Sequence, residues 1–190
     1  MVQPDPNVEN ISGFGHGAVM NGLPVLILLV ALVIGGGCQK PDQPAPAAGG
    51  PLALPAAAQG KLRTMRVWLG AEELETELAL TPREQQIGMM FRTNMAENTG
   101  MLFPLPVTDR ASFWMKNCPL PLSAAYINPD GVIQEIHDFQ PHNTNAVISV
   151  SDRIRFVLET PQGWFERHHV GAGAVVRTER GPLMETFFKR

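Results

Sequence analysis

Residues 113–118, with the sequence FWMKNC, concentrate side chains that could hold a ligand. Alternate side chains of a β-strand face the same side, so Trp114 and Lys116 are predicted to share one face. A lysine ammonium can bind an anionic group while a neighbouring indole ring stacks against the rest of the ligand. Arg92 would add a second cation and Asn117 an orienting hydrogen bond, which completes a candidate binding site.

A structural role for the same cations is the competing hypothesis, and it is the one that we favour. Glu159 follows the apolar residues 156–158, so its carboxylate is expected inside the domain. A buried charge needs an opposite charge or hydrogen bonds. Lys116 is therefore expected to pair with Glu159, and Arg92 competes for that position.

Catalysis is a third possibility, and it would use Lys116, Cys118 or Glu159. On the predicted strand Cys118 shares the face of Lys116, and a nearby cation favours the reactive thiolate. However, no Ser-His-Asp or Cys-His spacing surrounds Cys118, and no acid and base are paired. We therefore expect a buried, unreactive thiol and no catalytic residue, and we lean towards a protein that is not an enzyme.

Metal binding has two sets of candidate ligands, neither in a recognised pattern. His137, Asp138 and His142 lie close together in the chain, but their spacing matches no standard zinc site. Methionines 89, 90, 95, 101 and 115 could bind Cu(I), but they are better explained as flexible core residues. No metal and no cofactor is expected.

The charge balance argues against nucleic acid as a partner. The chain has 15 Lys and Arg against 18 Asp and Glu, a net charge of -3 and a pI near 5.9. Binding to a polyphosphate requires clustered cations, and this chain has no such cluster. Its 190 residues provide enough sequence for one domain.

Residues 23–34 form an apolar run that would be only about 18 Å long as a helix, against about 30 Å of membrane hydrocarbon. The sequence that follows, Gly35-Gly36-Gly37-Cys38, resembles the lipobox of bacterial lipoproteins, which implies that Cys38 is acylated and becomes the mature N-terminus. The alternative is an uncleaved anchor helix that extends back into residues 14–22. Residues 1–22 are otherwise interpreted as disordered or as an over-extended start.

Both interpretations of this segment predict the same location. The domain would be tethered to a membrane of the cell envelope, through a lipid or a helix, and would face away from the cytoplasm. Residues 39–60 consist almost entirely of Pro, Ala, Gly and Gln, too poor in bulky apolar side chains to build a core. They are predicted to be a disordered linker that leads into a domain at residues 61–190.

The domain is predicted to be β-rich, because short apolar segments alternate with turn residues. Asn128-Pro129-Asp130-Gly131 predicts a hairpin turn, with Pro fixing φ and Gly supplying positive φ. Thr81-Pro82-Arg83-Glu84 has a capping box with Pro at the first helical position, which predicts a helix over 82–90. A second short helix is predicted over 162–168. The predicted strands are 65–69, 74–80, 100–103, 111–117, 124–128, 132–137, 154–160 and 174–178.

Several sequence blocks together resemble the bacterial and archaeal family named domain of unknown function 192. These blocks are Gly88-Met89-Met90-Phe91-Arg92, Gly100-Met101-Leu102-Phe103, Phe113-Trp114-Met115-Lys116-Asn117, Pro121-Leu122, Asp130-Gly131-Val132-Ile133, Val157-Leu158-Glu159 and Gly163-Trp164. The resemblance implies a compact jelly-roll-like β-barrel or sandwich with one short helix. It implies no activity. Where the family usually has Thr and Asp, this chain has Cys118 and Ser123.

The function expected from these observations is that of an exported, membrane-tethered binding module. Its ligand would be a small molecule, a glycan or a protein, bound near Arg92, Trp114, Lys116, Asn117 and Glu159. The alternative is an envelope enzyme that uses Lys116, Cys118 or Glu159.

The lipid anchor is directly testable. We predict that the mature chain begins at Cys38 and carries acyl groups there, because the apolar run is too short to span and ends at a cysteine. Mass spectrometry of the N-terminal peptide of the protein extracted from membranes measures this. Recovery of unmodified peptides from before Cys38 would exclude the lipoprotein and leave the anchor helix.

Overall fold

A computed structural model of the chain describes residues 55–189, and these residues form a mainly β domain. The expectations for residues 1–54, including Cys38, lie outside the described residues. The strands are β1 (Thr64–Leu69), β2 (Glu72–Leu78), β3 (Thr99–Asp109), β4 (Ser112–Phe113), β5 (Leu122–Ile127), β6 (Ile133–Phe139), β7 (Val147–Ile148), β8 (Ile154–Pro161), β9 (Val176–Thr178) and β10 (Gly181–Pro182). The helices are α1 (Pro82–Ile87), α2 (Trp164–Arg167) and α3 (Leu183–Phe187).

Eight of these strands form one sheet in the order β10-β9-β1-β2-β3-β8-β5-β6, and β4 pairs with β7 separately. Neighbouring strands are antiparallel except for β2 and β3. The sheet curls until Val132, just before β6, bridges to Val175, just before β9. The mainly β prediction is therefore confirmed in the coarser form of a curled half-barrel.

The alternating side chains of the sheet build two apolar cores, one on each face. On β3 and β8, Leu102 and Leu158 belong to one core, whereas Phe103 and Val157 belong to the other. The first core includes Trp164, which α2 brings against the sheet. The second includes Phe113, Met115 and Cys118, so it lies beneath the predicted binding segment.

Helix α1 begins as its sequence predicts. The Thr81 hydroxyl accepts a hydrogen bond from the Glu84 N–H at 3.2 Å, and the Glu84 carboxylate accepts one from the Thr81 N–H at 2.8 Å. The helix ends at Ile87, earlier than predicted, because Gly88 has φ 48 and leaves the helical conformation. Helix α2 lies inside the predicted range 162–168, and α3 was not predicted. No helix among residues 55–189 has both the length and the apolar character that crossing a membrane requires.

The predicted hairpin joins β5 to β6 and also touches the far side of the sheet. Asn128 accepts hydrogen bonds from the Gly131 N–H through its carbonyl at 3.0 Å and from the Val132 N–H through its side chain at 2.9 Å. Gly131 has φ 80, and its carbonyl accepts a hydrogen bond from the Val176 N–H at 2.7 Å. The turn therefore helps to close the half-barrel.

The end of the predicted linker contacts the domain. Pro55 is buried, and the Gln59 side chain donates hydrogen bonds to the carbonyls of Glu84 and Gly88 at 3.2 and 3.0 Å. The Glu84 carbonyl also accepts the Gly88 N–H at 2.8 Å, so the Gln59 amide adds to the hydrogen bonding around the C-terminal end of α1.

Replacing Gly131 by Ala is predicted to weaken this closure. A Cβ there would lie 2.8 Å from the Val176 carbonyl oxygen, in addition to the strain of positive φ. Gly70→Ala is the matched control, because Gly70 has φ 65 but open space around it. We expect Gly131→Ala to lower the free energy of unfolding by about 1–3 kcal/mol more than the control, measured by urea denaturation. Equal losses would show that the approach to Val176 contributes nothing.

Candidate functional site

The predicted strand 111–117 is shorter than expected, and this changes the candidate site. Regular strand structure ends at Phe113, and the chain then turns, with the Cys118 N–H donating to the Met115 carbonyl at 3.0 Å. Asn117 has φ 58, which a strand cannot contain. The side-chain alternation assumed from the sequence therefore fails before Cys118.

The turn leaves Trp114 and Lys116 together but moves Cys118 to the other side. Trp114 and Lys116 are half-buried, and the Lys116 Nζ lies 5.2 Å from the centroid of the indole ring. Cys118 is buried in the core beside Phe113 and Met115. The prediction that Trp114 and Lys116 share a face is correct, and the inclusion of Cys118 on that face is wrong.

Lys116 does not form the ion pair that the sequence suggested. Within residues 55–189 no carboxylate lies at ion-pair distance from its ammonium group, which instead makes a cation–π contact with Trp114. Such a contact leaves most of the hydrogen-bonding capacity of an ammonium group unused. Lys116 therefore presents a cation that an anionic group could bind.

Three left-handed residues meet at this site. Phe91, Asn117 and His142 have φ of 61, 58 and 59. The Phe91 N–H donates to the Asn117 carbonyl at 2.7 Å, and the His142 N–H donates to the carbonyl of Cys118 at 2.9 Å. Left-handed backbone is unfavourable for a bulky residue such as Phe91, and such strain tends to collect at functional sites.

An apolar cluster supports these loops from below. Ile87 and Met90 are buried, and Phe91 and Trp114 pack against them. The indole N–H of Trp114 is buried without a hydrogen-bond partner in the described part of the chain. Among residues 55–189, the Asn117 side-chain amide reaches only the sulfur of Met90, at 3.9 Å. Both groups retain hydrogen-bonding capacity that protein atoms do not use well.

Arg92 follows Phe91 but its side chain points into a different cleft. Its guanidinium makes a bidentate ion pair with Glu77, at 2.5 and 2.8 Å, and both side chains are mostly buried. Burial raises the pKa of Glu77, but hydrogen bonds from Arg92 and the Leu62 N–H outweigh it, so the pKa lies below its ordinary value. The expected Arg92–Glu159 pair is therefore replaced by Arg92–Glu77.

The cleft around Arg92 is small and balanced in charge. It has a volume of about 170 Å³, and Lys61 on its wall pairs with Glu75 at 3.2 Å. The sequence reasoning missed Glu77. The signal was available, because the alternation of residues 72–78, EELETEL, places Glu73, Glu75 and Glu77 on one face of a strand.

Glu159 lies in the core rather than at the surface. On β8 it sits between Met101 of β3 and Ala124 of β5, and it is fully buried. Burial raises the pKa of its carboxyl, which favours the neutral acid. The structure does not bring Glu159 together with Trp114 and Lys116 on the surface.

Cys118 is not an activated thiol. Burial, and then the nearby Glu159 carboxyl, raise its pKa to about 11. The same two causes raise the pKa of Tyr126, which lies on β5 next to the β8 strand of Glu159. A thiol with this pKa is almost entirely protonated at neutral pH, whereas the sequence hypothesis of a lysine-activated thiolate required the opposite shift.

The possible metal ligands are dispersed. His137 Nε2 contacts the Glu135 carboxylate at 2.8 Å, and Asp138 accepts a short hydrogen bond from the Ser123 hydroxyl. Because His137 and Asp138 are successive residues on β6, their side chains face opposite sides. Residues 55–189 contain no group of three His, Cys, Asp or Glu side chains arranged to hold a metal ion.

Comparison with known proteins identifies the family. Residues 65–178 match the model of the domain of unknown function 192 family, described as an uncharacterized ACR, and the chain belongs to this family. No curated protein matches the chain.

Two crystal structures of relatives are similar to this chain. A protein from Sinorhizobium meliloti 1021, described as a proposed transcription regulator, is 33% identical, with a TM-score of 0.60 over 64% of this chain and 98% of that chain. A protein of unknown function from Novosphingobium aromaticivorans DSM 12444 is 28% identical, with a TM-score of 0.59 over 68% of this chain and 99% of that chain. These relatives support the fold, and their descriptions include no ligand.

The Arg92–Glu77 pair is predicted to be energetically coupled. Its two charge-assisted bonds are mostly shielded from water. A double-mutant cycle with Arg92→Met and Glu77→Gln should therefore give a coupling free energy of about 1–3 kcal/mol. Lys61–Glu75 is the matched control, because both side chains are more than half exposed and such pairs contribute about 0–1 kcal/mol. Urea denaturation of the four chains in each cycle measures both couplings. Equal coupling free energies for the two pairs would contradict the claim that Arg92–Glu77 is the stronger, shielded pair.

The buried Glu159 predicts a stability that falls as the pH rises. Its folded-state pKa is raised, so its contribution is complete below the unfolded pKa of about 4.3 and is lost as the pH rises through the folded value. The free energy of unfolding of Glu159→Gln should therefore rise relative to that of the natural chain as the pH rises, by at most about 1.4 kcal/mol per pH unit.

Glu77→Gln provides the opposite control. Because the pKa of Glu77 is lowered, its contribution is complete above about pH 4.3 and is lost as the pH falls below that value. Free energies of unfolding from pH 3 to pH 9 compare the two variants with the natural chain. A constant difference between Glu159→Gln and the natural chain would contradict the raised pKa.

Proposed function

We propose that this member of the family is an exported, membrane-tethered module that binds the anionic group of a small molecule or glycan of the cell envelope. The proposed site, called the Lys116 surface below, consists of Phe91, Trp114, Lys116 and Asn117. The observation that carries the proposal is the Lys116 ammonium, which lies over the Trp114 ring without a carboxylate partner among the described residues.

The chemistry of the Lys116 surface fits an acid attached to a ring or an apolar body. The ammonium group of Lys116 can donate to a carboxylate or a phosphate, and such charge-assisted bonds are stronger than neutral ones. The indole of Trp114 offers a flat, largely apolar area for the rest of the ligand. Asn117 can orient a hydroxyl through its side-chain amide.

The backbone around Lys116 supports a site that exists before the ligand arrives. Phe91, Asn117 and His142 hold left-handed conformations, and backbone hydrogen bonds connect their loops. A pre-organised site avoids much of the entropy cost of ordering loops on binding. Arg92 and Glu159 are not included, because Arg92 is paired with Glu77 and Glu159 is buried.

Support for the proposed membrane tether comes from the sequence. The apolar residues 23–34 end at the lipobox-like Gly35-Gly36-Gly37-Cys38, and the Pro- and Ala-rich residues 39–60 follow. This order is typical of a lipid or helix anchor connected to a folded domain by a spacer. The proposed location is the outer side of a membrane of the cell envelope.

Two alternatives have weaker support. An enzyme that uses Cys118 or Glu159 would need substrate to reach groups that are buried, and the raised pKa of Cys118 disfavours a nucleophilic thiolate. A role in regulating transcription, which the description of the Sinorhizobium relative names, would require this chain to bind nucleic acid through clustered cations if it acted directly, and the net charge here is -3.

Titration of the full-length protein in detergent with uronic-acid oligosaccharides tests the proposal, with neutral oligosaccharides of equal length as the reference ligands. We expect the acidic ligands to bind by isothermal titration calorimetry and Lys116→Met to bind them at least about tenfold more weakly, the loss of one charge-assisted bond. Lys189→Met is the matched control, because Lys189 is an exposed lysine that pairs with Glu185 at 2.6 Å. Equal affinities for acidic and neutral ligands, or for Lys116→Met and the natural chain, would refute the proposal.

A further inference from the structure

Strand β6 ends the sheet, and most of its outer backbone edge has no partner among residues 55–189. It pairs with β5 on one side, and on its other side the first residue, Ile133, exchanges hydrogen bonds with Ala174 and Gly173. For residues 134–138 the described part of the chain provides backbone partners on β5 alone. Five residues of strand correspond to about 17 Å of edge without backbone partners in the described part of the chain, enough for a peptide of four or five residues.

A groove runs beside this free edge. It has a volume of about 340 Å³ and lies where the segment containing α2 meets β5 and β6. Its apolar lining comes from Ile136, Phe165 and Val170, and its polar lining includes the carboxylates of Asp138 and Glu166. The groove therefore offers apolar contact together with negative charge.

The walls of the groove are held in place by hydrogen bonds to the buried hydroxyl of Ser123. The hydroxyl of Ser123, which is 1% exposed, donates to Asp138 and accepts from the Gly163 N–H at 2.8 Å. These two bonds connect β5, β6 and the start of α2. The distance between the strand edge and the segment containing α2 is thus set without a ligand.

We propose that the β6 edge binds an extended peptide that carries Lys or Arg at alternate positions. The peptide would add a strand to residues 134–138, and main-chain hydrogen bonds would provide most of the affinity. Alternate side chains of the peptide would enter the groove, where Asp138 and Glu166 attract a cation and Ile136 and Phe165 receive its aliphatic stem. This site is separate from the Lys116 surface and does not depend on it.

Charge complementarity selects this occupant. Asp138 and Glu166 are both exposed on the groove, so an acidic peptide would meet repulsion there. A second copy of this chain, pairing edge to edge through β6, would bring a strand that carries Glu135 and Asp138 and no Lys or Arg, which adds negative charge to the edge. An extended basic segment avoids both costs.

Short synthetic peptides test the proposal with the full-length protein in detergent. The first probe is acetyl-Val-Lys-Val-Lys-Val-amide, and its Glu counterpart differs only in charge. Two further probes carry N-methyl groups on alternate amides, in opposite phases, because only one phase of a strand faces its neighbour. Fluorescence polarisation of labelled peptides measures affinity, and amide hydrogen exchange measures protection of residues 134–138.

We expect the Lys peptide to bind at least tenfold more tightly than the Glu peptide, and one methylation phase, but not the other, to weaken binding at least tenfold. Binding should protect alternate amides within residues 134–138. Glu166→Lys should reduce affinity at least tenfold, whereas Asp152→Lys, the same charge change at an exposed residue outside the groove, should not. Undetectable binding, equal effects of the two methylation phases, or protection of β6 that depends on protein concentration without peptide would each overturn the proposal.

Discussion

The hydrogen bond from the Phe91 N–H to the Asn117 carbonyl, 2.7 Å long, is the contact on which the candidate site depends. It joins the loop after α1 to the turn after β4, and both residues adopt left-handed backbone at this contact. The turn at Asn117 stops the strand and sends Cys118 into the core while Lys116 stays at the surface. Without this contact, the alternation of a regular strand would bury Lys116 or expose Cys118.

Such a contact persists only where the surrounding packing determines it. A left-handed non-glycine residue costs of order 1–3 kcal/mol, and Phe91 is poorly suited to that conformation. Burial of Met90, Phe113 and Met115 offsets this cost, since a fully buried large apolar side chain contributes about 1.5–3 kcal/mol. The half-barrel thus supplies the stability that a strained loop cluster requires, and the cluster in turn positions Trp114 and Lys116.

Local signals in the sequence predicted much of the fold. The capping box at Thr81 and Glu84, and the hairpin turn at Asn128 and Gly131, depend on residues a few positions apart, so their physical causes are visible in the sequence. Apolar segments located the strands of the main sheet, apart from the two-residue β10. The two-residue β7, the helix α3 and the parallel pairing of β2 with β3 carried no comparable signal, because they depend on the arrangement of the whole chain.

The candidate site was only partly predictable, for the same reason. Strand alternation predicted that Trp114 and Lys116 lie close together, and the structure has them close together although the strand ends at Phe113. The partner of Arg92 could not be predicted from the sequence. Glu77 lies near Arg92 because of how the chain folds, not because the two residues are close in the sequence. Glu159 looked like the natural partner of a lysine, but burial raises the pKa of its carboxyl and favours the neutral acid, which a sequence pattern does not reveal.

The central claim is that Lys116 is a surface cation held ready for a ligand, and the stability of Lys116→Met tests it most directly. If Lys116 makes only the cation–π contact with Trp114, its removal should lower the free energy of unfolding by no more than about 1 kcal/mol in urea denaturation at neutral pH. A loss of about 3 kcal/mol or more, the cost of breaking a buried ion pair, would show that Lys116 is a structural cation and contradict the account.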